Sequence, residues 1–273
     1  MKKVVIAWIL TLALLFSVVG VASAVTDGEL DGDGHPQVVL ILMEVDGEPA
    51  YRCSGTMIAP TYVLTAGHCA GAPGEFSGIR IFTESDVDNG NNNYPYAGPN
   101  SIEALRFAAH PDYPDYPFYF NDVGMIELTE PFYPGGYPGV FGTLPAVDSL
   151  DQYKTRRGHN DLYFTAVGYG LQKSFPDAAS WKEQADRVRM VAYPKLIQIN
   201  TGFTGDFSLL LSNNTHTGGT CFGDSGGPNF LNNTNIVAGV TSYGLNWACG
   251  GTGGVFRMDR QNVQDFIDDF MNP

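Results

Sequence analysis

The sequence predicts an all-β fold, and three observations carry that prediction. Short apolar or alternating runs bounded by Gly, Pro, Asn and Asp recur along the whole chain. Gly and Pro are abundant, at 33 and 17 of 273 residues, which suits frequent turns better than long helices. Only one segment, at the C-terminal end, carries helical periodicity. In chain order the first set of strand-like runs covers 37–45, 53–58, 62–65, 78–82, 101–108 and 123–128. Ala59-Pro60 turns the hairpin that leads to His68. A second set covers 162–167, 187–192, 207–211, 236–242 and 254–257. Val263, Phe266, Ile267 and Phe270 then recur at helical spacing, with Asp259 as the expected N-cap.

Residues 1–24 read as a signal peptide. Lys2 and Lys3 precede an apolar stretch, and Ala22-Ser23-Ala24 is a small-residue cleavage site. Its style is bacterial, and it predicts a secreted protein, extracellular or periplasmic, free of the membrane after cleavage. Residues 25–273 suit one large β domain or two packed barrels. With 29 acidic against 15 basic side chains the net charge is -14. Such a chain is repelled by nucleic acid and by anionic membranes, so neither is expected as a partner. The four cysteines, 53, 69, 221 and 249, suggest two disulfides in an exported chain, with three possible pairings.

Two motifs carry the chemistry. Gly223-Asp224-Ser225-Gly226-Gly227-Pro228 presents a serine in a tight glycine-rich bend. A serine hydroxyl needs a base for its proton and backbone amides for the resulting oxyanion. The base is offered by Leu64-Thr65-Ala66-Gly67-His68-Cys69. Gly-x-Ser-x-Gly also fits an α/β-hydrolase, whose triad histidine follows the serine. The five histidines lie at 35, 68, 110, 159 and 216, all before Ser225, which excludes that triad. The order His, Asp, Ser remains. Asp122, entering the apolar run Val123-Gly124-Met125-Ile126, sits where a carboxylate can be shielded while it orients His68. Asp112, Asp115, Asp148 and Asp151 lie among Pro, Tyr or polar residues and read as loop charges. His110 reads as a strand-end residue, and His35, His159 and His216 as surface residues. Cys53, Cys69, His68 and His110 lack paired metal-ligand spacing, so no metal is expected there.

Together these segments resemble the chymotrypsin-like (trypsin-fold) serine endopeptidases over nearly the whole of 25–273. The resemblance implies two packed six-stranded antiparallel barrels, about 25–145 and 146–273, with a terminal helix. It implies the disulfides Cys53–Cys69 and Cys221–Cys249. It implies a triad of His68, Asp122 and Ser225, with the amides of Gly223 and Ser225 as oxyanion hole and no cofactor. Ser242 matches the position that hydrogen-bonds the triad acid.

The resemblance also assigns a substrate pocket. Gly219 stands at its floor, followed by Thr220; Ser242-Tyr243-Gly244 forms one wall, with Gly254 opposite and Phe222 at the rim. Without a floor carboxylate, a Lys or Arg side chain would be a buried cation lacking its counter-charge. Large apolar or aromatic residues before the scissile bond are expected instead, with Tyr243 and Gly244 pairing with the substrate backbone. Cleavage after Ala24 would expose Val25, whose ammonium is expected to pair with Asp224 as an activating terminus; the alternative is that internal donors satisfy Asp224. The acidic loop 84–90 is a site for a structural calcium ion or, more simply, a solvated loop. Asn213 and Asn232 begin Asn-x-Thr sequons, expected to stay bare. A monomer acting on proteins or peptides is the leading reading. A non-catalytic protein-binding relative and a secreted esterase are the alternatives.

Overall fold

The computed structural model describes residues 25–113, 120–154, 161–172 and 186–273; the expected signal peptide, Asp115 and His159 lie outside them. Strand β1 is Glu29–Leu30, β2 Val38–Val45, β3 Glu48–Ala59 and β4 Tyr62–Thr65. A single helical turn, α1, spans Gly67–Ala70. Next come β5 Gly78–Phe82, β6 Ser101–Ala109 and β7 Gly124–Leu128. A 3-10 turn, Ser149–Tyr153, leads on to β8 Phe164–Gly168 and β9 Met190–Ala192. Then follow β10 Leu196–Ile199, β11 Ser208–Asn213 and β12 Pro228–Leu231. The chain ends with β13 Val237–Gly244, β14 Gly251–Arg257 and helix α2 Gln261–Met271.

The fold is the expected mostly-β one. Strands β2-β3-β4-β7-β6-β5 close into a six-stranded antiparallel barrel. The second half forms an eight-stranded sheet in the order β1-β9-β8-β12-β13-β14-β11-β10, open at β1 and β10. Strands β1, β10 and β12 add to the runs read from the sequence: β1 has two residues, β10 only four, and β12 begins at a proline.

The halves share a core. Leu40, Ile81 and Ile126 of the barrel belong to one buried cluster with Phe230, Val240 and Phe256 of the sheet. Helix α2 joins it through Val263, Ile267 and Phe270, the spacing seen in the sequence. Its N-cap is Arg260, which makes no side-chain capping bond. Asp259 has a different task. Fully buried, it accepts two bonds from Arg257, each 2.8 Å, and one from Leu150 N–H at 2.9 Å. A buried guanidinium needs such a partner more than a helix end needs a cap. Both proposed disulfides form: Cys53–Cys69 ties β3 to α1, and Cys221–Cys249 ties the serine loop to the β13–β14 connection.

Candidate active site

His68 lies in α1, directly after the end of β4, and Asp122 lies two residues before β7. Strands β4 and β7 pair, with Thr65 opposite Gly124, so the barrel itself carries both residues to one end. Asp122 is wholly buried. It accepts bonds from His68 N–H at 2.9 Å and from the His68 ring Nδ1 at 3.0 Å. Ser242 Oγ donates to it at 2.5 Å. Three donors on one carboxylate compensate its removal from water and leave the imidazole facing Nε2-outward. Burial pulls the His68 pKa down, but the Asp122 charge and hydrogen bond, with Glu75 adding to them, lift it above its ordinary value.

Ser225 comes from the loop before β12, on the other half of the molecule. It shares with His68 the walls of two adjoining clefts, of about 680 and 830 Å³. No Ser225–His68 hydrogen bond is made among the described residues; such bonds are often long without substrate. The loop is held from behind by Ser54 of β3. Ser54 N–H donates to Ser225 O at 2.8 Å, and Ser54 Oγ donates to Gly223 O at 3.0 Å while accepting from Tyr169 N–H at 3.0 Å. With both carbonyls bound on that side, the amides of Gly223 and Ser225 donate to no acceptor among the described residues. Gly223 sits at φ +97°, which side-chain-bearing residues rarely adopt. Sequence reasoning missed Ser54, because nothing in its neighbours marks it.

Asp224 is also fully buried. It accepts from Gly170 N–H at 2.8 Å and Cys221 N–H at 2.9 Å, and among the described residues no charged side chain bears on it. Burial pushes its pKa up to about 7. The expected partner, Val25, is itself buried against Met190 and Ala192, and Thr26 pairs with Gly219. In the full chain the donors to Asp224 are these two backbone amides, and no Val25–Asp224 pair is formed.

The pairing of β13 with β14 sets the expected pocket walls. Tyr243 lies opposite Gly254, and Gly244 opposite Gly253. The Tyr243 ring covers Gly254, where an added Cβ would lie 2.2 Å from it, whereas a Cβ on Gly253 would face Thr220 Oγ1 at 3.2 Å. Neither Gly253 nor the expected Gly254 is among the residues that line the larger cleft. Thr220, Ser242, Tyr243 and Gly244 line the larger cleft, and Gly219 does not. Phe222 is at the rim, stacked on the exposed Trp247 with centroids 6.0 Å apart.

The remaining candidates resolve simply. In loop 84–90, Glu84 accepts from Asn91 and Asn92, Asp86 from Asn89, and Asp88 from Arg187 N–H; its carboxylates are engaged by amides. Cys53, Cys69 and His68 lie close enough to suggest a metal cluster, but the disulfide consumes both thiols. His110 directly follows β6, the strand-end place expected for it, and packs on Phe266. His35 departs from the surface role read for it: it pairs with the buried Asp31, itself bonded to Arg189 at 2.8 Å, and stacks on Phe230. Asn213 is buried, so its sequon is not accessible in the folded chain. Among the described residues no helix is long and apolar enough to cross a membrane.

Comparison with known proteins agrees with this geometry. The Bombus ignitus protein "Venom serine protease Bi-VSP" is 29% identical over 83% of this chain and 60% of its own length. Brachyurin of Leptuca pugilator is 28% identical over 73% of this chain and 78% of its own. The solved structure "HL collagenase" superposes with a TM-score of 0.67 at 20% identity, covering 91% of this chain and 99% of that one. These relatives are insect and crustacean proteins, so the bacterial style read in residues 1–24 finds no support among them. The family model described as Trypsin matches residues 31–267, the span that holds the barrel, every strand of the sheet but β1 and all the residues lining both clefts, and by that match the chain belongs to the trypsin family of serine proteases.

Proposed function

We propose that residues 25–273 form a secreted serine endopeptidase, released from a signal peptide at 1–24 and acting as a monomer on proteins or peptides. The observation that carries the reading is the buried Asp122 holding the Nδ1 side of His68 beside a cleft shared with Ser225. Ser225 Oγ attacks the scissile carbonyl while His68 Nε2 takes its proton. The Gly223 and Ser225 amides hold the tetrahedral oxyanion, and Asp122 stabilises the imidazolium. His68 then protonates the leaving amine. Water, deprotonated by His68, attacks the acyl-enzyme and restores Ser225. No step needs a cofactor.

Gly244 leaves one pocket wall bare, and the absence of a carboxylate at 219 disfavours a cation, so large apolar or aromatic side chains fit best. The edge at Tyr243 and Gly244 takes the substrate backbone as an added strand. The seat of Thr26 against Gly219 supports the further reading that cleavage after Ala24 frees the Val25 ammonium to reach Asp224.

Labelling of the mature chain by a fluorophosphonate, lost in Ser225→Ala, tests the mechanism; equal labelling of both, or of neither, overturns it. Turnover of matched ester and amide substrates separates a peptidase from an esterase, and cleavage of a Lys/Arg library faster than a Phe/Leu library would sink the specificity reading.

A further inference from the structure

Thr220 lines the larger cleft, and Asn213 is bonded to it from behind. Asn213, the last residue of β11, is buried, and its side chain lies where a side chain at 219 would stand. A Cβ built on Gly219 would lie 2.3 Å from Asn213 Cγ, 2.4 Å from Oδ1 and 2.6 Å from Cβ. Oδ1 is the end of the side chain, but Cβ is fixed to the backbone and cannot swing aside. Both ends of the amide are held: Nδ2 donates to Thr220 O at 2.8 Å, and Oδ1 accepts from Thr26 Oγ1 at 2.8 Å. Gly219 N–H in turn donates to Thr26 O at 3.1 Å. Thr220 Oγ1 itself lies 3.2 Å from where a Cβ on Gly253 would stand.

We propose that Asn213 is the floor group of the specificity cleft, taking from β11 the place that position 219 leaves empty. The inference rests on the reading of this cleft as the one that receives the side chain before the scissile bond. A neutral amide with both ends bonded offers no counter-charge, so it turns away ammonium and guanidinium groups and closes the cleft under an uncharged side chain. Its link to Thr26 also makes the floor depend on how the amino-terminal segment is seated. Position 219 is therefore not a free site for changing specificity: a carboxylate placed there meets Asn213 first.

The test uses the full chain expressed with its own leader, in a Ser225→Ala background for binding, with benzamidine as the cationic probe read by calorimetry. Gly219→Asp alone is expected to bind benzamidine no more tightly than the parent. Gly219→Asp with Asn213→Gly is expected to bind it at least about ten-fold more tightly than the single change. Equal binding by the single and double forms, or no gain in the double, overturns the proposal. Should the double form fail to fold, the isosteric Asn213→Asp decides: tighter benzamidine binding as pH rises supports the floor assignment, and unchanged binding overturns it. Binding does not need chemistry. The expected binding pattern without hydrolysis by the Ser225 form would sink only the protease reading, and hydrolysis of Phe or Leu amides with the wrong binding pattern would sink only the floor.

Discussion

Asp224 gives the sharpest prediction, because a fully buried carboxyl with only two backbone donors is an unfinished electrostatic arrangement. In the uncleaved chain its pKa stands near 7 against 3.8 for an ordinary aspartate. The folded form therefore holds that proton more tightly than the unfolded form does. Its contribution to stability is largest below about pH 4, falls as pH rises, and levels off above about pH 7. At about 1.4 kcal/mol per unit, the difference is on the order of 4 kcal/mol. An ammonium docked beside the carboxylate reverses this by favouring the charged form. The perturbation is one extra residue ahead of Val25, compared with the mature terminus. The assay is urea unfolding between about pH 4 and pH 8, with Asp224→Asn forms of both to subtract every other titrating group. The extended form should lose roughly 4 kcal/mol across that range and the mature form far less, with hydrolytic activity following the mature form. Superimposable pH profiles, or full activity in the extended form, would refute the reasoning.

Other perturbations reach the same site by separate routes. Asp122→Asn leaves His68 without its acceptor and is expected to lower kcat by about 10⁴, as in other triads, with little change in KM; a loss under about ten-fold in steady-state kinetics contradicts it. Because Asp122 and Glu75 raise the His68 pKa, the acid limb of kcat/KM should lie above the ordinary histidine value of 6.5, and replacing Glu75 by Gln should move it down. Ser54→Ala strands Gly223 O and Tyr169 N–H in a buried site, costing about 2–4 kcal/mol in denaturant unfolding, and should slow fluorophosphonate labelling more than it weakens substrate binding; Ser54→Thr should restore both. Replacing Cys221 and Cys249 by Ser opens a closure of 28 residues worth roughly 3.5 kcal/mol in the chain-entropy model, read as a lowered thermal midpoint.

What was legible in the sequence was whatever is local or recurs along the chain. Strands such as 78–82 and 62–65 announce themselves by apolar runs between turn residues, and helix α2 by the spacing of Val263, Ile267 and Phe270. His68, Asp122 and Ser225 stand out because each sits in a motif with a chemical reason for its neighbours. The features that escaped are all relations across the fold. Nothing near Ser54 in the chain says that its hydroxyl will reach Gly223, 169 residues away. Asp259 reads as a helix cap until the buried Arg257, two residues before it, is seen to need a counter-charge. The Tyr243 ring lies over Gly254 through the pairing of β13 with β14, which carries a bulge between Thr241 and Tyr243, and no periodicity in either strand marks it. Asn213 shows the same limit most plainly. In the chain it is an Asn-x-Thr sequon, a surface signal, yet pairing of β11 with β14, Asn213 opposite Gly251, carries it inward beneath Gly219. A glycine in sequence states only that a side chain is missing, and what fills the space is decided by whichever strand packs behind it.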